Sequence, residues 1–203
     1  MESTSSKLSS TFFLLQIFII SSFIYPTSAA RNPLRSKTNN DFIKTSCSET
    51  TYPRLCFASL STHASTIQTS PKLLAGAALN VTLSSAKSAS ALMLKLSKIH
   101  GISPKGAAAM KDCMEELSDS VDELRNSIAE MSKLRTPSFN LVMNDIQTWV
   151  SAALTDENTC SDGFAEEKIK GNLTSIVKGR VLNVAQLTSN ALALINKYAL
   201  LHA

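Results

Sequence analysis

Apolar and small side chains recur in steps of three and four along most of this chain, and that rhythm predicts amphipathic helices. After Ser70-Pro71 the stripe reads Leu74, Ala78, Val81, Ser85, Ser88, Leu92, Leu96 and Ile99. A serine cap followed by proline at the first helical position is a helix start, and His100-Gly101 is a matching stop. Ser103-Pro104 repeats the start, and Met110, Met114, Leu117, Val121, Leu124, Ile128 and Met131 follow. Thr136-Pro137 opens a third long helix carrying Val142, Ile146, Trp149 and Ala153, with Trp149 assigned to the core. That helix is expected to stop near Asp156, ahead of a loop holding Cys160 and Gly163. The last stripe is Leu173, Val177, Val181, Val184, Leu187, Ala191, Leu194, Tyr198 and Leu201. No segment alternates with period two over any length. Four long helices on short loops predict an all-α fold, an up-and-down antiparallel four-helix bundle.

The pattern differs ahead of the bundle. Lys7, an apolar stretch from Phe12 to Tyr25 and the small residues Ser28-Ala29-Ala30 follow the plan of a secretory leader, assigned to residues 1–30. Gln16, Ser21 and Ser22 interrupt the apolar stretch, which falls short of the ~20 residues a membrane span needs. Residues 31–40 are polar and expected to be flexible, leaving 41–203 as one domain. It should begin with a helical hairpin. Asp41 to Cys47 is helical in pattern, Thr51-Tyr52-Pro53 breaks it, and a second short helix runs from Pro53 to about Leu60.

Composition sharpens this picture. Six glycines, six prolines and 6% aromatic residues favour helix over sheet. The net charge is +4, unchanged by loss of the leader, whose Glu2 and Lys7 balance. That charge suits solubility or a weak contact with an acidic polymer such as pectate. Without a dense basic tract or interleaved aromatics, it gives no case for nucleic acid. The four cysteines, in a chain read as secreted, are expected to form disulfides. They admit three pairings; the spacing favours a local bridge between Cys47 and Cys56 and a long-range one between Cys113 and Cys160. No Cys-x-x-Cys pair exists and His63, His100 and His202 are scattered, so no metal or other cofactor is expected.

Catalytic signals are equally thin. The histidines have no nucleophile or carboxylate at a recurring spacing, and the serine tracts lack the strained turn of a nucleophile elbow. Two sequons, Asn80-Val81-Thr82 and Asn172-Leu173-Thr174, mark Asn80 and Asn172 as glycosylation candidates. Glu115, Asp119 and Asp122 are spaced by four and three, on one helical face beside the apolar stripe. Spacing alone favours a solvated acidic face with Arg125 paired to Asp122. The competing reading is a partner surface whose crowded carboxylates take up protons in mild acid.

Three motifs carry a resemblance. Cys-Ser-Glu-Thr-Thr-Tyr-Pro-Arg-Leu-Cys (47–56) is similar to the cysteine hairpin of plant invertase and pectin methylesterase inhibitors. Asp112-Cys113-Met114-Glu115-Glu116 with Asp119, Val121, Asp122 and Leu124 resembles their third-cysteine helix. Thr148-Trp149-Val150-Ser151-Ala152-Ala153-Leu154-Thr155 through Thr159-Cys160-Ser161-Asp162-Gly163-Phe164 resembles the segment around their fourth cysteine, in the style of the methylesterase branch. The resemblance covers the chain beyond the leader in the correct order. It implies the bundle with its N-terminal hairpin, and pairing of the first cysteine with the second and the third with the fourth. It further implies an inhibitor, not an enzyme, that binds pectin methylesterase one-to-one in the cell wall and blocks its substrate cleft. Glu115, Asp119, Asp122, Thr159 and Asp162 match positions implicated in target contact. Invertase is the alternative target, and a pectin-binding wall protein that inhibits nothing is the alternative class. Little chain follows the last helix, so no catalytic domain is expected there.

Overall fold

A computed structural model describes residues 33–99, 102–135, 137–166 and 172–202. The leader assigned to 1–30 and the His100-Gly101 stop lie outside these residues. Among the described residues the regular structure is helical throughout. In chain order the helices are α1 (Pro33–Cys47), α2 (Pro53–Leu60), the short α3 (Ala64–Ile67), α4 (Pro71–Leu96), α5 (Pro104–Lys133), α6 (Phe139–Glu166) and α7 (Asn172–Leu200). The four long helices pack in a ring, each against its chain neighbours, and α7 closes back on α4. That is the four-helix bundle the stripes call for.

Two of the three starts are built as the dipeptides predict. The helix expected to open at Thr136-Pro137 begins instead at Phe139, just after Ser138, whose carbonyl accepts from the Val142 N–H at 3.1 Å. The Ser70 hydroxyl accepts from the Leu73 N–H at 3.3 Å, and that of Ser103 from the Gly106 N–H at 3.1 Å, each satisfying a donor with no intrahelical partner. The α3–α4 connection is a tight turn in which Ser70 N–H bonds the Ile67 carbonyl at 3.2 Å. Gln68 takes φ 55° there.

The helical hairpin is docked on α7 through its turn. Asn190, itself buried, accepts from the Tyr52 N–H at 2.9 Å and donates to the Tyr52 carbonyl at 3.0 Å. Lys197 reaches Glu49 at 2.6 Å, and Asn39 donates to the Ala64 carbonyl at 3.1 Å. Disulfides join Cys47 to Cys56 across the hairpin and Cys113 to Cys160 between α5 and α6. At one end of the bundle Phe139, Tyr198 and His202 form an aromatic cluster with ring centroids 4.6 to 5.8 Å apart.

Four other expectations are corrected. Residues 33–40, expected to be flexible, belong to α1, whose Asn39 is held by the Ala64 carbonyl. On α4 the buried line is Leu74, Ala75, Ala78, Leu79, Thr82, Ala86, Ala89 and Met93, so the stripe is turned by about one residue beyond Ala78. Small alanines let the neighbouring helices approach closely, and the bulkier Leu92 and Leu96 fall at the rim. Trp149 is 39% exposed, and Val150 takes the core position between Ile146 and Ala153. Finally, α6 does not stop at Asp156; it runs through Cys160 and Gly163 to Glu166. Gly163 causes no break because the extra turn is anchored by the disulfide and by buried Phe164.

Candidate functional site

The α5–α6 pair is the most extensively packed in the bundle, and its outer side gathers most of the sequence candidates. On α5, Glu115, Asp119 and Asp122 are all exposed. Glu115 pairs with Lys111 at 3.2 Å and Asp122 with Arg125, both in solvent, where such pairs contribute roughly 0.5 kcal/mol. Asp119 has no ion-pair partner among the described residues. On α6, Thr159 and Asp162 are exposed.

Between the two helices runs an open groove of about 450 Å³, floored by Cys113 and Cys160 and lined by Lys105, Asp112, Glu116, Thr159 and Gly163. The structure therefore places Thr159 beside the disulfide, facing Asp112 and Glu116. Glu115, Asp119 and Asp122 do not line this groove, and neither does Asp162. The five candidates are spread over two helices and are not gathered in one pocket.

Two features escaped the sequence reading. The first is a second row of acids on α5: Asp112, Glu116, Asp119 and Glu123, spaced by four, three and four. That spacing was there to be read, but the row shares Asp119 with the more obvious one. Within it Glu116 and Glu123 meet Asp156 of α6, and Asp119 lies near enough to act on all three by charge. Burial raises Glu123 to about 8, helped by the hydrogen bond and charge of Asp156 and by Asp119 and Glu157. Burial likewise raises Glu116, with Asp156 and Asp119 adding to it. Asp156 is raised mainly by burial, partly offset by hydrogen bonds from Glu123 and Glu116. Glu157, fully buried, is pushed up to about 7 by desolvation, against the opposing Thr188 and Ser120 hydroxyls.

The second is a row of exposed hydroxyls on α6. Thr148, Ser151, Thr155 and Thr159 each donate to the carbonyl four residues earlier, at 2.7 to 3.0 Å. Their own donors are thus satisfied while their lone pairs face solvent, a neutral, short and nearly rigid strip that can accept from a partner. Acids and hydroxyls together offer a face rich in acceptors.

Asn80 is exposed, with its amide nitrogen donating to the Gly76 carbonyl at 2.8 Å. It lines a second open groove, of about 640 Å³, with His63, Ser84 and Arg180. The Asn172 side chain lies outside the described residues. Among the described residues no group of three or more potential metal ligands assembles, and no helix is long and apolar enough to cross a membrane.

Residues 41–194 match the family described as plant invertase/pectin methylesterase inhibitor. The chain belongs to this family. Several relatives bear the name pectinesterase inhibitor, and one, pectinesterase 2 of Arabidopsis thaliana, is 32% identical over 166 residues that make up 28% of its own length. Pectinesterase inhibitor 10 of Arabidopsis thaliana is 48% identical over 167 residues, 81% of this chain and 53% of the relative, so the chain spans about half of that protein. Pectinesterase inhibitor 11 of Arabidopsis thaliana is 43% identical over 194 residues, covering 93% of this chain and 96% of the relative. A 21 kDa protein of Daucus carota is 46% identical over 166 residues, 80% and 86% of the two chains. Among solved structures, a mutant form of a pectin methylesterase inhibitor from Arabidopsis superposes with a TM-score of 0.64 at 21% identity, over 76% of this chain and 95% of that one. At that identity the likeness concerns the fold, and the fold agrees. Within this family the four cysteines of the present chain stand as two disulfides, one tying the hairpin and one tying the α5–α6 face.

Proposed function

We propose that this chain is a secreted inhibitor of pectin methylesterase that binds the enzyme one-to-one and covers its substrate cleft. The observation that carries the reading is the disulfide-tied α5–α6 face, where exposed carboxylates stand beside a strip of acceptor hydroxyls. Inhibition by occlusion needs no chemistry from the inhibitor. A rigid surface that loses little freedom on binding suffices, and a bundle with two disulfides supplies it. Relatives over nearly the whole chain bear the name pectinesterase inhibitor, which favours the methylesterase over invertase as target.

In this reading Glu115, Asp119, Asp122, Thr159 and Asp162 contact the enzyme, with Thr148, Ser151 and Thr155 extending the surface. Residues 1–30 act as the leader, placing the protein in the cell wall, and Asn80 and Asn172 take glycans there. The net +4 adds a weak attraction to pectate.

The test is a paired assay of the purified protein against a pectin methylesterase and an invertase, with Asp119→Lys and Thr159→Lys variants checked for unchanged helicity. Methylesterase inhibition that weakens tenfold or more in each variant is expected, since a central interface contact is worth about 1–2 kcal/mol. Inhibition of invertase alone would overturn the choice of target. Full inhibition by both variants would remove the α5–α6 face from the interface.

A further inference from the structure

Three carboxyl oxygens at the seam between α5 and α6 are buried and have no hydrogen-bond partner: Glu123 Oε2, Asp156 Oδ2 and Glu157 Oε2. An ionised carboxylate can only accept, so two carboxylates brought together out of water have nothing to give one another. Buried in this way they carry a large desolvation cost. A proton on one member turns the contact into a hydrogen bond. Glu123 and Asp156 make such a contact, and Glu116 reaches Asp156 from the next turn of α5. Glu157 lies deeper. Its Oε1 accepts from Ser120 Oγ on α5 at 2.8 Å, whereas the Thr188 hydroxyl on α7 donates to the Val184 carbonyl.

We propose that Glu116, Glu123, Asp156 and Glu157 form a proton-held clamp between α5 and α6, which keeps the bundle closed in mild acid and loosens it as the carboxyls ionise. The groups around them reinforce this. From α5 come Asp112 and Asp119, both negative, and from α7 the Thr188 hydroxyl; Lys105 lines the groove at the Glu116 end. The neighbouring acids oppose ionisation of the four carboxyls, while the Ser120 and Thr188 hydroxyls offset part of that cost at Glu157. The disulfide between Cys113 and Cys160 limits how far the helices part. The clamp therefore governs the stability of the seam without undoing the fold's connectivity. This inference rests on the bundle alone and stands apart from the inhibition reading.

The direction follows from proton linkage. The folded chain holds these protons to higher pH than the unfolded chain, so unfolding releases them. Stability is full below the unfolded values near 4.5 and falls as pH rises toward about 7 and 8, levelling off above. Each proton released multiplies the unfolding constant by up to about tenfold per pH unit.

Urea unfolding of the purified protein between about pH 5 and about pH 8 tests this, alongside Glu123→Gln/Glu157→Gln and Asp119→Asn. The unfolding constant of the unaltered protein should rise at least ~100-fold over that range, as one shared proton requires. The glutamine pair should flatten the rise at least ~10-fold. Asp119→Asn removes a repelling charge from an exposed site and should reduce the rise while leaving the fold intact. Infrared spectra near pH 6 should show a protonated carboxyl. If the glutamine pair fails to fold, the spectrum and Asp119→Asn still decide. A constant that stays level or falls as pH rises overturns the clamp. So does an unchanged slope in Asp119→Asn, or a spectrum without protonated carboxyl.

Discussion

Gln68 is the described non-glycine residue with a positive φ, at 55° and ψ −123°. It stands first of the two central residues in the turn closed by Ser70 N–H on the Ile67 carbonyl, where glycine is strongly preferred. A side chain in that region costs of order 1 kcal/mol or more. Gln68→Gly is therefore expected to raise the unfolding free energy by about 1 kcal/mol, the relief of strain exceeding the added freedom of the unfolded chain. Chemical denaturation checks it, and a lower midpoint would count against the strain. Single residues also show where sequence reading reaches its limit. The Ser70 and Ser103 caps were legible because a cap depends on its own turn alone. The exposure of Trp149 was not. One step of helical phase separates it from buried Val150, and only the neighbouring helices decide which of the two they meet.

Among the elements, the two disulfides tie different kinds of structure. Cys47 and Cys56 are separated by 9 residues in the hairpin, and Cys113 and Cys160 by 47 between α5 and α6. Closing loops of these lengths restricts the unfolded chain by about 2.7 and about 4 kcal/mol on the chain-entropy model. Cys113→Ala should thus lower the thermal midpoint more than Cys56→Ala, and equal midpoints would contradict that ordering. The same elements mark what the periodicity could and could not show. The α7 stripe was read in its true phase from Val177 to Tyr198, because the bulky residues Val177, Val181, Val184, Leu187, Leu194 and Tyr198 recur in register and outweigh the exposed Leu182. The α4 stripe was turned because alanines surround that helix and small residues give the pattern little contrast. The length of α6 was missed because Cys160 and Gly163 look like loop residues until the disulfide and Phe164 anchor the last turns.

At the scale of the whole molecule, charge sets loose behaviour and burial sets tight behaviour. The net charge of +4 acts over roughly one Debye length, about 10 Å at 0.1 M salt. Retention on immobilised pectate at low ionic strength is expected, with release by moderate salt. Retention that persists in high salt would point to a specific contact instead. The chain by itself determined the helical class, the starts of α4 and α5, the hairpin and the cysteine spacing. Each of these depends on residues close in sequence or on periodicity within one segment. The family was legible too, since its motifs are short and contiguous. Tertiary packing alone decided which face of α4 lies inward, that Thr159 meets Asp112 and Glu116 over the disulfide, and that Asp156 and Glu157 close against Glu123 and Ser120. Those contacts join residues dozens of positions apart. Their energetics depend on how much water the packed helices exclude, which no local pattern of side chains encodes.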